Sequence, residues 1–171
     1  RFDPAPPGGN GLEGGQVSVA EMVNQSGVVS VAKGGDWSES YIVDLFEWHL
    51  KVSESFPDFA GNAQWAFKDF STPLRPENPI PYVNQKGLVD REGRPKEAYF
   101  VFKSRWTTDP AFCRLYGHGW SPRQGEKGEP QSFRAYCNTE AGELFVNGES
   151  LGKKQRNLSV FPAAGLTWEA R

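Results

Sequence analysis

The most regular hydrophobic pattern in the chain follows Ser38, where Ile42, Leu45, Phe46, His49 and Val52 recur at three- and four-residue spacing. That period places them on one face of a helix. Ser38 offers an N-cap acceptor and Pro57 closes the segment, so the pattern predicts a helix between them. GNAQWAF, residues 61–67, is small and apolar, as a strand enclosed on both faces should be. Residues 68–94 carry Pro73, Pro76, Pro79 and Pro81 and read as a long loop. Pro95 then suits the first helical position of PKEAYFVFKSRW, whose Ala98, Tyr99, Val101, Phe102 and Trp106 form an apolar stripe.

After Asp109-Pro110 the periodicity changes. AFCRLYGH, QSFRAYCN, GELFVNGESL and NLSVFPA are short strand-like runs separated by turns rich in Gly, Pro and Asn. Asn147-Gly148 between two such runs is a two-residue hairpin signal, because both residues tolerate positive φ. Toward the start, residues 1–16 are dominated by Pro and Gly and predict an irregular loop, while VSVAEM, residues 17–22, fits an extended segment or a short helix. The fold class that follows is α/β plus all-β. Residues 1–107 form one region, with the helix, buried strand, long loop, helix unit of a parallel α/β fold, and residues 108–171 form an unfinished β-sandwich. In an α/β barrel the loops leaving the strands' C-terminal ends build the active site, so residues 65–94 are where substrate contacts are expected.

Composition removes several function classes. The net charge is −2 with acidic and basic residues interspersed, which does not match a nucleic-acid footprint. No apolar run is long enough to span a bilayer, and no charged-then-apolar leader opens the chain. The expectation is a soluble protein without a membrane partner, whose true N-terminus lies beyond Arg1 and whose compartment stays open. Cys113 and Cys137 are read as free buried thiols, and no C-x-x-C or Cys/His spacing calls for a metal or cofactor.

Two stretches carry a family resemblance. AGNAQWAFKDF with YVNQKGLVDREGRPKEAYFVFKSRW resembles the last strand, last active-site loop and last helix of the catalytic barrel of glycoside hydrolase family 2, the β-galactosidase and β-glucuronidase family. GELFVNGESLGKKQRNLSVFPAAGLTWEAR resembles the Ig-like domain that follows that barrel. The match covers most of residues 38–171 and rests on the ordered series W-x-F-x-D-F, N-x-K-G-L, P-K-x-A-Y and L-F-V-N-G. The resemblance implies the C-terminal portion of a (β/α)8 TIM barrel followed by an incomplete immunoglobulin-like sandwich. It also implies an incomplete catalytic unit, whose acid/base carboxylate lies upstream of Arg1 and whose partners include the rest of the same enzyme. A periplasmic or secreted location suits a bacterial member, and a homo-oligomer is left open.

Retaining glycosidases use two carboxyl groups, one attacking the anomeric carbon and one protonating the departing oxygen. By the resemblance Glu21 stands as the candidate nucleophile, although Met22-Val23 replaces the family's usual Tyr/Phe-Gly after that Glu; a surface carboxylate is the other reading. Trp65 matches the tryptophan that floors the sugar subsite, against core packing as the alternative, and Asp69 beside it accepts from a hydroxyl or anchors the loop. Asn84 and Lys86 match the N-x-K-G element that holds the sugar carboxylate in the glucuronidase branch, against a turn residue and a solvated charge. His118 and Trp120 are read as packing residues. The leading function is a retaining exo-β-glycosidase of β-galactosidase type acting on an oligosaccharide or glycoside, because Glu77, beside Arg75 in the same loop, would oppose an anionic ring. A uronic-acid-specific β-glycosidase is the alternative, and a non-catalytic carbohydrate-binding or scaffold fragment is the second.

Overall fold

The computed structural model describes residues 39–74, 81–118 and 128–170. Helix α1 (Glu39–Ser53) opens the described chain. Two short antiparallel strands follow, β1 (Phe70–Ser71) and β2 (Val83–Asn84), then helix α2 (Glu97–Trp106). The remainder is β3 (Cys113–Leu115), β4 (Gln131–Cys137), β5 (Ala141–Val146), β6 (Glu149–Gln155), a single 3-10 turn (Ala163–Gly165) and β7 (Thr167–Ala170). Strands β3, β4 and β7 form one antiparallel sheet with β4 central, and β5 and β6 form a hairpin. The content is mixed α and β.

Both expected helices form, each with a shifted face or boundary. In α1 the buried apolar residues are Val43, Phe46 and Leu50, so the core side lies about one residue along from the expected stripe; Ile42, Leu45 and Val52 are half-buried and His49 is exposed. The shift follows from α2, whose Ala98, Val101 and Phe102 meet α1 and set which of its faces is covered, with Phe46 and Phe102 ring centroids 5.1 Å apart. In α2 the N-cap is Lys96 rather than Ser, Thr or Asp, and Pro95 precedes it instead of opening the helix. At the other end the Thr107 hydroxyl donates to the Lys103 carbonyl at 2.8 Å and closes the last turn. Burying Val43, Phe46, Leu50, Val101 and Phe102 contributes about 1.5–3 kcal/mol per side chain.

Strand β4 separates two cores through its two-residue period. Tyr136 joins the core of α1 and α2, and Arg134 on the same face pairs with Asp44 of α1 at 2.9 Å. Phe133, Ala135 and Cys137 face the other way and pack with Leu166, Trp168, Leu144 and Leu151. The Asn147-Gly148 hairpin is present, with φ of 52° and 89° joining β5 to β6.

Three expectations give way here. Residues 61–67 form no strand: Trp65 and Phe67 are exposed, and the chain first pairs at 66–69, which runs beside 86–89. A strand enclosed on both faces needs neighbours on both edges, and the described residues supply one. NLSVFPA is also not a strand. Pro162 and the left-handed Ala163 and Ala164 fold it into turns, with Ala163 N–H donating to the buried Glu47 carboxylate at 2.8 Å. The strand that pairs with β4 on the side away from β3 is β7 instead. Finally, Cys113 and Cys137 are not free. They are direct cross-strand partners in β3 and β4, their side chains fall on one face of the sheet, and they form a disulfide packed against Gly142 and near Trp168. His118 is exposed rather than packed, while Glu21, Trp120, Arg75 and Glu77 lie outside the described residues.

Candidate sugar-binding site

The turn carrying Asn84 and Lys86 is built against the segment carrying Trp65. Leu88 N–H donates to the Ala66 carbonyl at 3.0 Å, Val89 N–H to Phe67 at 2.9 Å, and Asp69 N–H to Val89 at 3.0 Å. Ala66 N–H reaches the Lys86 carbonyl at 3.5 Å, so the residue after Trp65 abuts Lys86. Gly87 makes this approach sterically feasible. A Cβ built on it would lie 2.3 Å from the Asp69 nitrogen and 2.5 Å from both the Lys68 carbonyl carbon and the Val89 oxygen. All three are backbone atoms, and no side-chain rotation relieves such contacts.

Within the turn, Asn84 Oδ1 accepts from Lys86 N–H at 3.1 Å, the side-chain-to-backbone bond that fixes an Asx-type turn. The turn role read for Asn84 is therefore observed, and the amide nitrogen of the same side chain takes no part in that bond. Lys86 is half-buried. Trp65 is 71% exposed, which removes it from this segment's core, and its indole meets the Phe70 ring edge-to-face at 5.9 Å. The backbone thus sets the residue after Trp65 beside Lys86, and Asn84 opposite Phe70, the ring that Trp65 meets.

Asp69 anchors the loop. It is buried and accepts from Gly87 N–H at 2.8 Å and from the Lys96 ammonium at 2.7 Å, and Lys96 also donates to the Gln85 carbonyl at 3.0 Å. Burial pushes the Asp69 carboxyl up, with Lys96 and the Gly87 N–H pulling against it. Lys96 and Gly87 are the residues that pattern-reading passed over. Lys96 looked like an ordinary first-turn residue after Pro95, and its place beside Asp69 is set only by folding. Gln85 is buried with both amide atoms unpartnered among the described residues.

A second constellation lies at the start of α1. Glu39 Oε2 accepts from Glu97 N–H at 3.3 Å, while Glu97 accepts from Gly117 N–H at 3.0 Å and from Arg114 at 3.2 Å. Burial, then the charge of Glu97, pushes the Glu39 carboxyl up to about 8. These two acids serve the packing of α1, α2 and β3. A cavity of about 360 Å³ is lined by Trp48, Leu50, Phe56, Phe59, Gln64 and Phe102 and includes none of Trp65, Asn84 or Lys86.

Comparison with known proteins bears on both halves of the chain. Residues 128–171 match the family described as "Domain of unknown function (DUF4982)". The solved structure of Bacteroides uniformis beta-glucuronidase 3 is 58% identical and superposes with a TM-score of 0.75 over 79% of this chain and 17% of its own. Parabacteroides merdae beta-glucuronidase is 54% identical with a TM-score of 0.74, over 78% of this chain and 17% of its own. A beta-glucuronidase of Bacteroides fragilis is 31% identical over 70% of this chain and 16% of its length. The chain thus spans less than a fifth of the length of these relatives, and with identities of 54–58% over nearly four-fifths of it in the solved structures and 31% over 70% of it in the Bacteroides fragilis enzyme, it belongs to glycoside hydrolase family 2.

Proposed function

We propose that this segment belongs to a retaining β-glucuronidase-type glycoside hydrolase and that it supplies the substrate-holding end of the site. The observation that carries the reading is the turn at 84–87, locked beside Trp65 by Gly87 and the Asp69–Lys96 pair. A flat indole suits the apolar C–H face of a pyranose, and an ammonium with an amide N–H2 suits the ring's carboxylate. The likeness to enzymes named as glucuronidases favours this uronide over the neutral galactoside expected above. In this reading residues 1–107 close a TIM barrel and residues 108–171 begin an Ig-like sandwich. Glu21 is the candidate nucleophile, and the acid/base group comes from the rest of the enzyme.

In the double displacement, the nucleophilic carboxylate attacks the anomeric carbon while the acid protonates the leaving oxygen; water then releases the sugar. Trp65, Asn84 and Lys86 hold the ring in register for both steps. The test uses the intact enzyme with paired aryl β-glucuronide and aryl β-galactoside substrates. Lys86→Ala should cost the glucuronide about 2–5 kcal/mol in kcat/KM, as for one partner lost from a desolvated charge pair, and the galactoside far less. A wild type that prefers the galactoside, or a glucuronide preference that survives the substitution, overturns the reading.

A further inference from the structure

Lys96 occupies an unusual place for an N-cap residue. Its backbone is extended and its side chain makes no cap bond to α2. The ammonium crosses instead to Asp69 Oδ1 at 2.7 Å and to the carbonyl of Gln85 at 3.0 Å. Gln85 is the residue between Asn84 and Lys86, so one donor ties both the Trp65-bearing segment and the backbone of the turn. Both side chains of the pair are almost wholly buried, at 5% and 3% exposure.

The base of Lys96 is fixed as firmly as its tip. The next residue, Glu97, is held from β3 and the turn after it by Arg114 at 3.2 Å and Gly117 N–H at 3.0 Å, and from α1 by Glu39 at 3.3 Å. A buried ion pair adds little net stability over apolar residues of similar volume, because desolvation offsets the Coulomb attraction. What apolar replacements would not reproduce is a directional bond to the Gln85 carbonyl.

We propose that Lys96 is a positioning residue, which sets the Gln85–Lys86 backbone and through it the Lys86 ammonium at the point where a uronide carboxylate is held. This rests on the glucuronidase reading above. It also makes the packing of α2 on β3 part of how that site is held in register.

The experiment compares the intact wild-type enzyme with Lys96→Met/Asp69→Asn, which removes both buried charges at similar volume, and with Lys96→Arg. The arginine keeps the charge, but its longer planar group does not reproduce both contacts of the ammonium. Each is assayed on aryl β-glucuronide and aryl β-galactoside, with thermal melting alongside. In variants that melt near wild type, kcat/KM for the glucuronide should fall on the order of 10²-fold, as for a displacement of about 1 Å. The loss should lie mainly in KM, and the galactoside rate should change much less. A folded variant with unchanged glucuronide kinetics overturns the proposal, and so do equal losses on both substrates. Failure of both variants to fold assigns Lys96 to stability and overturns it too. A wild type without glucuronide preference sinks the functional reading and this proposal with it, whereas a preference kept in both variants sinks this proposal alone.

Discussion

Gly87→Ala adds one methyl group at a position whose backbone is not left-handed, so crowding in the folded state dominates its effect over the small entropic gain from a stiffer unfolded chain. The new Cβ would sit 2.3 Å from the Asp69 nitrogen and 2.5 Å from the Lys68 carbonyl carbon and the Val89 oxygen. Non-bonded carbon contacts are comfortable near 3.5–4.0 Å, so segments 66–69 and 86–89 must separate by roughly 1 Å. That stretch of backbone carries Asp69 N–H to Val89 at 3.0 Å, Val89 N–H to Phe67 at 2.9 Å and Leu88 N–H to Ala66 at 3.0 Å. Losing two such bonds at about 1 kcal/mol each, with overpacking of about 1–3 kcal/mol, gives a local cost of roughly 3–5 kcal/mol. Gly93→Ala is the control: its φ is +87° and nothing lies within 4 Å of its Cβ, so it carries backbone strain alone, about 1–2 kcal/mol. Thermal melting and glucuronide kinetics of the intact enzyme should show Gly87→Ala losing both stability and kcat/KM, with Gly93→Ala near wild type in activity. A Gly87→Ala enzyme with wild-type melting and kinetics, or a larger loss from Gly93→Ala, would refute the steric argument.

Glu39 gives a pH prediction. Burial raises its carboxyl from 4.5 to about 8, so between those values the folded protein holds a proton that the unfolded chain releases. Stability therefore falls as pH rises through that window and levels off above it. Glu39→Gln should remove the loss, leaving the variant more stable near neutral pH, by at most about 1.4 kcal/mol per pH unit crossed, and indistinguishable near pH 4; melting curves that stay parallel from pH 4 to 8 would contradict it. For the Cys113–Cys137 disulfide, a separation of 24 residues makes reduction, or Cys113→Ser with Cys137→Ser, cost about 3 kcal/mol in urea unfolding. Equal midpoints with and without reductant would show that the bond contributes nothing.

The chain's local chemistry was legible where it depends on neighbours in sequence. Both helices announced themselves by period, and Asn147-Gly148 by the two residues that accept positive φ, which they do at 52° and 89°. The residues of the candidate site, Trp65, Asn84 and Lys86, were named from motif order, and Asn84 closes its turn with an atom two residues away, at 3.1 Å. What sequence could not decide was everything set by a partner from afar. The covered face of α1 was chosen by Phe102 and Tyr136, not by its own stripe. The two cysteines looked independent because only the β3–β4 register puts them opposite each other. Residues 61–67 have the composition of an enclosed strand but lack a second edge to pair with among the described residues, since hydrogen bonding between strands is a property of pairs. NLSVFPA has strand-like side chains, yet Pro162 and the Glu47 carboxylate across the fold turn it. Sequence carried the residue types of the candidate site; only the folded chain, through Gly87 and Lys96, fixed how closely the segments bearing them approach, because close approach and buried charge are relations between segments far apart along the chain.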